Sequence, residues 1–146
     1  MNSSDKDKVL EIMKKNSMHA YLATCDGDQP IIRSISTIVE EDMSVWILTS
    51  CSSRKVGQIK QNPKICLAFI EQPNGEKVAH LFGQAEIVGD MEQKKRIWNL
   101  VKDYDPTQYF PDGPESKDYC VLKININNIE WRDGWTDKMS VYKPSK

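Results

Sequence analysis

The chain has 146 residues, of which 39% are hydrophobic and 28% charged, a composition that fits one globular domain and excludes an intrinsically disordered chain. Its 20 Lys and Arg residues are balanced by 21 Asp and Glu residues, which leaves a net charge of −1. The composition as a whole therefore gives no electrostatic basis for binding nucleic acid or an anionic membrane, and neither is expected as a partner.

The N-terminal part is predicted to form a short helix and a hairpin. Apolar residues repeat at helical spacing between Val9 and Met13. Two segments rich in strand-forming residues, 18–25 and 31–39, flank Asp26-Gly27, which is a strong tight-turn signal. We therefore expect these two segments to pair as antiparallel strands.

The next elements are a turn, a strand and a second helix. The acidic run Glu40-Glu41-Asp42 predicts a solvated turn, and segment 45–48 is rich in β-forming residues. Ser52-Ser53 then precedes a helical segment, 54–61, that Asn62-Pro63 ends. We expect a serine hydroxyl to cap this helix at its N-terminus.

The remaining chain is predicted to contain three strands and one helix. The strands are 65–70, 78–88 and 119–129, the last of which is either one long strand or a strand pair. Gly83 lies inside the second of them and indicates a bulge or a close approach of two backbones. Asp90 and Gln93 have the spacing of a capping box, which predicts a helix from there to about residue 101.

Six strands joined mostly by short turns indicate an antiparallel sheet in a mainly β domain that occupies residues 1–146. About six strands in so small a domain favour closure into a β-barrel with inserted helices, because closure removes exposed strand edges. No alternation of strands and helices supports a parallel doubly wound sheet.

The sequence also favours a cytoplasmic location. No apolar run approaches the roughly 18 residues needed to cross a bilayer, and the first residues lack the apolar core of a signal peptide. The four cysteines are spread through the chain without a C-x-x-C pair, so we expect neither disulfides nor a cysteine metal site.

The most informative residues for chemistry lie between Arg33 and Lys55. Arg33 lies on the second predicted strand, Thr49 follows the third, and Ser53-Arg54-Lys55 begins the helix after it. A helix N-terminus offers free N–H groups, and arginine and lysine add charged donors, so these residues predict a pocket for a monophosphate. The alternative is a solvated helix start with ordinary surface cations.

The same stretch, TSCSSRKVGQIKQNPKICLAF, resembles the corresponding segment of the pyridoxamine 5′-phosphate oxidase-like flavoproteins. The resemblance extends upstream through Ala23-Thr24, Gln29-Pro30 and Arg33. Downstream it covers the strand with Phe82-Gly83-Gln84-Ala85-Glu86, then Tyr109-Phe110-Pro111 and Ile129-Glu130-Trp131. It spans nearly the whole chain, and the length and order of segments are most similar to the short general-stress branch.

This resemblance implies a six-stranded, antiparallel split barrel that forms a homodimer and binds FMN at the subunit interface. It places Arg33, Arg54 and Lys55 on the FMN phosphate, with help from Thr49 and Ser53. Further residues implied along the flavin are Ser34, Ile35 and Ser36 through their backbones, Leu48 by packing, and either Trp131 or Arg132 on the flavin side.

Two departures from the family pattern indicate that the chain is not the oxidase itself. In the oxidase a glutamine on the strand before the glycine reaches the flavin, and alignment on Gly83 puts Val78 there. The oxidase also has an Arg-x-His-x-x-Arg-like cluster after its last tryptophan, whereas no histidine follows Trp131 here. A vitamin B6 phosphate would lose its expected anchors.

The sequence therefore predicts an FMN-dependent oxidoreductase that acts on a small organic substrate, with a nicotinamide cofactor as a candidate electron donor. The alternatives are a non-catalytic flavin carrier or stress-linked sensor, and a split barrel that binds haem or deazaflavin, with His80 as a conceivable haem ligand. No acid, base or metal ligand is assigned, because neither His19 nor His80 has an evident carboxylate partner.

Overall fold

The computed structural model describes residues 3–144, in which eight strands form one curled antiparallel sheet with three α-helices packed around it. The helices are α1 (Ser3–Lys15), α2 (Arg54–Gln61) and α3 (Met91–Leu100). The strands are β1 (Ala20–Asp26), β2 (Gln29–Ile35), β3 (Ile38–Val39), β4 (Val45–Ser50), β5 (Lys64–Ile70), β6 (Val78–Ile87), β7 (Tyr119–Arg132) and β8 (Ser140–Tyr142).

The order of strands explains why the sheet curls. It runs β2-β1-β5-β6-β7-β4-β3, with β8 paired to β7, so the two end strands β2 and β3 are consecutive in the chain. Only Ser36 and Thr37 join them, and the backbone N–H and hydroxyl of Thr37 both donate to the Ser17 carbonyl, at 2.7 and 2.9 Å. The mainly β, antiparallel barrel predicted from sequence is therefore confirmed.

The strand count differs from the six predicted. The segment predicted as one strand over 31–39 is interrupted at Ser36-Thr37, because Thr37 bonds to Ser17 instead of a neighbouring strand. The short β8 pairs Ser140 with Trp131 in a tail for which no strand was predicted. Both additions are too short to leave a periodic sequence pattern.

Two glycines are required by the backbone, and both were predicted as special positions. Gly27 turns the β1–β2 hairpin with φ +61°, in the left-handed region that glycine enters without strain. At Gly83 the register between β6 and β7 shifts, and a Cβ built there would lie 2.0 Å from the Asn125 carbonyl oxygen. The predicted bulge with close backbone approach is confirmed.

The apolar residues form two clusters. The larger fills the barrel and is covered by α1 and α2, through residues such as Met13 and Ile59. The smaller lies between α3 and the outer face of the sheet, where Ile97 is fully buried and Trp98 meets Tyr119 edge to face at 5.1 Å. The smaller cluster fixes α3 against β4 and β7, whereas α2 packs against β1.

The capping box predicted at the start of α3 is wrong. Asp90 occupies the N-cap position, but its side chain accepts no hydrogen bond from the helix. Gln93 instead accepts a bond from Arg96 Nε at 2.7 Å. Arg96 also donates to both Glu40 carboxylate oxygens, at 2.9 and 3.1 Å, so the Glu40 turn anchors α3.

Candidate functional site

Arg33 is held on β2 by two neutral acceptors. Its Nη1 donates to the Leu22 carbonyl at 3.2 Å, and its Nη2 donates to Gln58 Oε1 at 2.9 Å. The same Gln58 oxygen accepts from the Thr24 hydroxyl at 2.5 Å, and both Gln58 and Thr24 are buried. The guanidinium is therefore oriented without a carboxylate to cancel its charge.

The first turn of α2 has no side-chain cap. Ser53 is at the N-cap position, but its hydroxyl donates back to the Ser50 carbonyl at 2.7 Å, so the predicted serine cap is wrong. Ser52 is held by Asp118, which accepts from its N–H and its hydroxyl at 2.9 and 3.1 Å. Asp118 and the Ser50 carbonyl thus hold the loop, and the N–H groups of the first turn of α2 remain available to an anion.

Three cations meet at this helix start. Lys55 Nζ donates to the Thr49 hydroxyl at 2.9 Å. Burial lowers the pKa of Lys55, and the charge of Arg33 lowers it further. Burial likewise lowers the pKa of Arg33, with a smaller effect from the charge of Arg54. Within the described residues none of the three forms an ion pair, so they repel one another and leave a net positive site.

A cleft of about 400 Å³ opens beside Lys55. Thr49 and Ser36 give it polar walls, and Ile35 and Leu48 give it apolar ones. An aromatic loop closes its far side with Tyr104, Tyr109 and Phe110. A flat ring with a charged phosphate tail matches this combination of an apolar slot and a cationic end.

The structure brings most of the predicted residues to one place. Ile35, Ser36, Leu48, Thr49 and Lys55 line the cleft. Ser53 and Arg54 lie at the adjoining start of α2, and Arg33 is close enough to both Arg54 and Lys55 for electrostatic repulsion. Ser34 is exposed on the other face of β2, so only its backbone runs along this side.

Trp131 and Arg132 are not brought to the cleft. Trp131 is 7% exposed within the barrel core, paired with Ala79 on one side and Ser140 on the other. Arg132 donates to the carbonyls of Glu76 and Gly75 at 3.2 and 3.1 Å. Within one chain neither side chain faces the three cations, and a flavin contact by either stays a prediction.

Gln58 and the aromatic loop were missed as site residues. Gln58 lies one helical turn after Arg54, a spacing that puts both on one side of a helix. In the sequence it is only one residue of the segment that carries the family resemblance, because a glutamine on a short helix is typical of an exposed position. Tyr109 and Phe110 belong to the segments that carry the resemblance and were given no site role, but they line the cleft, Tyr109 exposed and Phe110 buried.

The histidines lie elsewhere. His80 is half-buried on β6, and burial lowers its pKa. Over residues 3–144 no three His, Cys, Asp or Glu side chains cluster in a way that suits a metal ion. The helices in this range include none long and apolar enough to cross a membrane.

In a comparison with protein families, residues 4–143 match the model described as "Pyridoxamine 5'-phosphate oxidase like". A search of curated proteins found no match.

Solved structures with the same fold include general stress protein 26 from Bacillus anthracis strain Sterne, at 22% identity and a TM-score of 0.75, covering 94% of this chain and 97% of that one. A protein related to general stress protein 26 from Clostridium acetobutylicum is 23% identical with a TM-score of 0.79, covering 98% and 96%. A heme binding protein from Mycobacterium smegmatis is 15% identical with a TM-score of 0.73, covering 94% and 57%.

Proposed function

This chain belongs to the pyridoxamine 5′-phosphate oxidase-like family, and we propose that it is a flavoprotein that binds FMN in the cleft beside Lys55. The observation that carries the proposal is the set of three cations without an ion-pair partner in residues 3–144, at an uncapped helix start. Repulsion within such a cluster destabilises the folded state, and a bound anionic group would relieve it.

The donor set fits a phosphate monoester. Arg33 and Arg54 supply forked donors, Lys55 a point charge, and the Thr49 hydroxyl keeps its own proton to donate while it accepts from Lys55. Ser53 and the first-turn N–H groups add neutral donors.

The flavin ring would lie against Ile35 and Leu48, with the backbone of 34–36 beside it. Bound FMN would supply two-electron redox chemistry, while these residues bind and orient it.

We further propose that the chain is an oxidoreductase for a small organic substrate and accepts electrons from a nicotinamide cofactor. The oxidase reaction itself is disfavoured by Val78, which is 4% exposed in the core and presents no polar group at the position implied for the oxidase glutamine. Arg132 is occupied by two backbone carbonyls, and no histidine follows it. We assign no side chain as acid or base.

The working form is proposed to be a cytoplasmic homodimer. Two large exposed apolar side chains support a partner subunit: Ile32, on the face of the end strand β2 that points away from the cleft, is 70% exposed, and Tyr109, on the aromatic loop, is 69% exposed. Side chains this exposed and this apolar are typical of a surface that another protein covers.

Haem is the second candidate ligand. It is favoured by the fold shared with the heme binding protein from Mycobacterium smegmatis. In this chain the half-buried His80, whose pKa burial lowers, would stay neutral and would be the residue that holds the haem iron. A haem protein would carry a Soret absorbance band in place of the flavin bands.

The test combines a spectrum with a titration. The purified chain is examined for flavin absorbance before and after FMN is added and removed by desalting, and FMN and riboflavin are then titrated by calorimetry. Because riboflavin lacks the phosphate, FMN should bind more tightly, and Arg54→Ala with Lys55→Ala should abolish that difference. Lys60→Ala with Lys64→Ala, which removes two exposed lysines nearby, is the matched control.

Equal affinity for FMN and riboflavin in the native chain would defeat the phosphate site. Reduction of the bound flavin by a nicotinamide cofactor, followed by reoxidation by an organic acceptor, would support the enzyme. Tight FMN binding without turnover would instead favour the carrier or sensor.

A further inference from the structure

We propose that Cys51 and Cys120 form a redox-active thiol pair. Its oxidation to a disulfide would weaken anion binding by Arg33, Arg54 and Lys55. Both cysteines are free thiols in this structure. The effect on binding rests on the proposed FMN site, whereas disulfide formation stands on the thiol geometry alone.

Strand register places the two thiols together. β4 and β7 pair Thr49 with Cys120 and Ser50 with Tyr119, and the Cys51 N–H continues the ladder to the Asp118 carbonyl at 2.7 Å. Side chains two residues apart on a strand point to the same face, so Cys51 and Cys120 are diagonal cross-strand neighbours. The Cys51 thiol is directed onto β7, where it meets the Tyr119 carbonyl at 3.5 Å.

The two thiols differ in access. Cys51 is exposed, whereas Cys120 is 2% exposed. Burial, together with the charge of Cys51 and a side-chain hydrogen bond with it, raises the pKa of Cys120 to about 12. Cys120 therefore stays protonated and shielded, and an oxidant in solution meets Cys51 first.

A peroxide is the class of oxidant that such a pair accepts. The Cys51 sulfur attacks the peroxide, the O–O bond breaks, and an S–O bond forms as one water leaves. The Cys120 thiol then loses its proton to the hydroxyl on Cys51 as its sulfur attacks, so the S–O bond breaks, the S–S bond forms and a second water leaves. Overall, two thiols lose two protons and two electrons, and hydrogen peroxide is reduced to two waters.

The bond would act on the residues that hold the anion site. Cys51 directly precedes the Ser52–Ser53 loop, which Asp118 and the Ser50 carbonyl hold in place. Cys120 pairs with Thr49, the acceptor for Lys55. Drawing the loop towards β7 would move the start of α2 relative to Thr49, so the cations would no longer converge.

The first measurement follows the disulfide itself. The reduced full chain is treated with hydrogen peroxide, digested without reductant and mapped by mass spectrometry, and a Cys51–Cys120 peptide is expected. The matched control is Cys25→Ala with Cys66→Ala. It removes the other two cysteines, which are neighbours of each other on β1 and β5, and should leave the linked peptide unchanged. Accumulation of sulfinic acid on Cys51 without the linked peptide would overturn the pair.

The second measurement follows the consequence. Oxidised chain should bind FMN roughly tenfold more weakly than reduced chain, while Cys51→Ala and Cys120→Ala should bind equally before and after peroxide. A linked peptide with unchanged FMN affinity would overturn the effect on binding. Failure of the reduced chain to bind FMN would defeat the proposed function, and the peptide map would still decide the thiol pair.

Discussion

Gln58 orients Arg33 without neutralising it, and replacing Gln58 with Glu would separate these two effects. In Gln58→Glu a carboxylate oxygen takes the place of the amide oxygen that now lies 2.9 Å from Arg33 Nη2 and 2.5 Å from the Thr24 hydroxyl. The fold keeps both hydrogen bonds, but the cation cluster loses one unit of positive charge. We expect nearly unchanged stability and much weaker FMN binding.

The magnitude follows from the geometry. A phosphate on the far side of the Arg33 guanidinium would lie about 6 Å from the new carboxylate, and at an effective dielectric constant of about 20 the repulsion is about 2.8 kcal/mol. Salt screening at the partly exposed site reduces it to about 1–2 kcal/mol, which is roughly a tenfold loss of affinity. For folding, the gain from pairing with Arg33 offsets the desolvation of the carboxylate, to within about 1 kcal/mol.

Two comparisons make the experiment specific. Gln58→Leu removes the acceptor, leaves the buried Thr24 hydroxyl unpaired and should cost about 1–3 kcal/mol of stability. Gln61→Glu makes the same chemical change at an exposed position of α2 and should alter neither property.

The readouts are urea unfolding and calorimetric titration with FMN and with riboflavin, whose affinity should not change. If Gln58→Glu bound FMN as tightly as the native chain, Arg33 would not hold the phosphate.

Three further predictions follow from the same structure. Burial and Arg33 lower the pKa of Lys55 in the folded state, so the unfolded chain keeps that proton to higher pH. Between the lowered pKa and the ordinary value of 10.5, the stability of the ligand-free chain in urea unfolding should rise with pH, while FMN affinity should fall. Lys55→Gln should flatten both pH curves. Gly83→Ala should lower the free energy of unfolding by about 1–3 kcal/mol, a fall in Tm of roughly 2–4 °C per kcal/mol, because the new Cβ would lie 2.0 Å from a backbone oxygen. Gly57→Ala, whose Cβ would have no atom within 4 Å, should raise Tm. An unchanged Tm in Gly83→Ala would contradict the close approach of the two backbones. FMN at about 100 times its Kd should stabilise the native chain by about 2.7 kcal/mol, and the same addition should leave the Tm of Arg54→Ala with Lys55→Ala unchanged.

Features marked by one or two residues with unusual backbone freedom could be predicted, whereas hydrogen bonds that depend on which partner lies nearby could not. The β1–β2 hairpin and the Gly83 bulge follow from one or two residues with restricted or permissive backbones. The break at Thr37 depends on the Ser17 carbonyl, which lies 20 residues away in the chain. Ser53 had both a helix N–H and the Ser50 carbonyl within reach, and sequence alone does not rank two hydrogen bonds of similar strength.

The candidate site shows the same division. The charged members, Arg33 and Lys55, stand out in sequence because their chemistry is rare inside a fold. Gln58 does not stand out, since its role exists only once α2 packs on β1 and brings it to Thr24 and Arg33. Trp131 was placed on the flavin side by the family resemblance, and in this structure it is buried in the barrel core.

In the proposed site, affinity for a phosphate would be obtained at the expense of stability. Two of the three cations are partly buried, repel each other, and have lowered pKa values as a result. The groups that position them, Gln58 and Thr49, are neutral, so the positive charge is oriented and left uncancelled. A bound phosphate would remove that repulsion, and its binding free energy would therefore include the relief of strain already present in the empty fold. Ligand binding, protonation of Lys55 and thiol oxidation would therefore all change the interaction among the three cations at the start of α2.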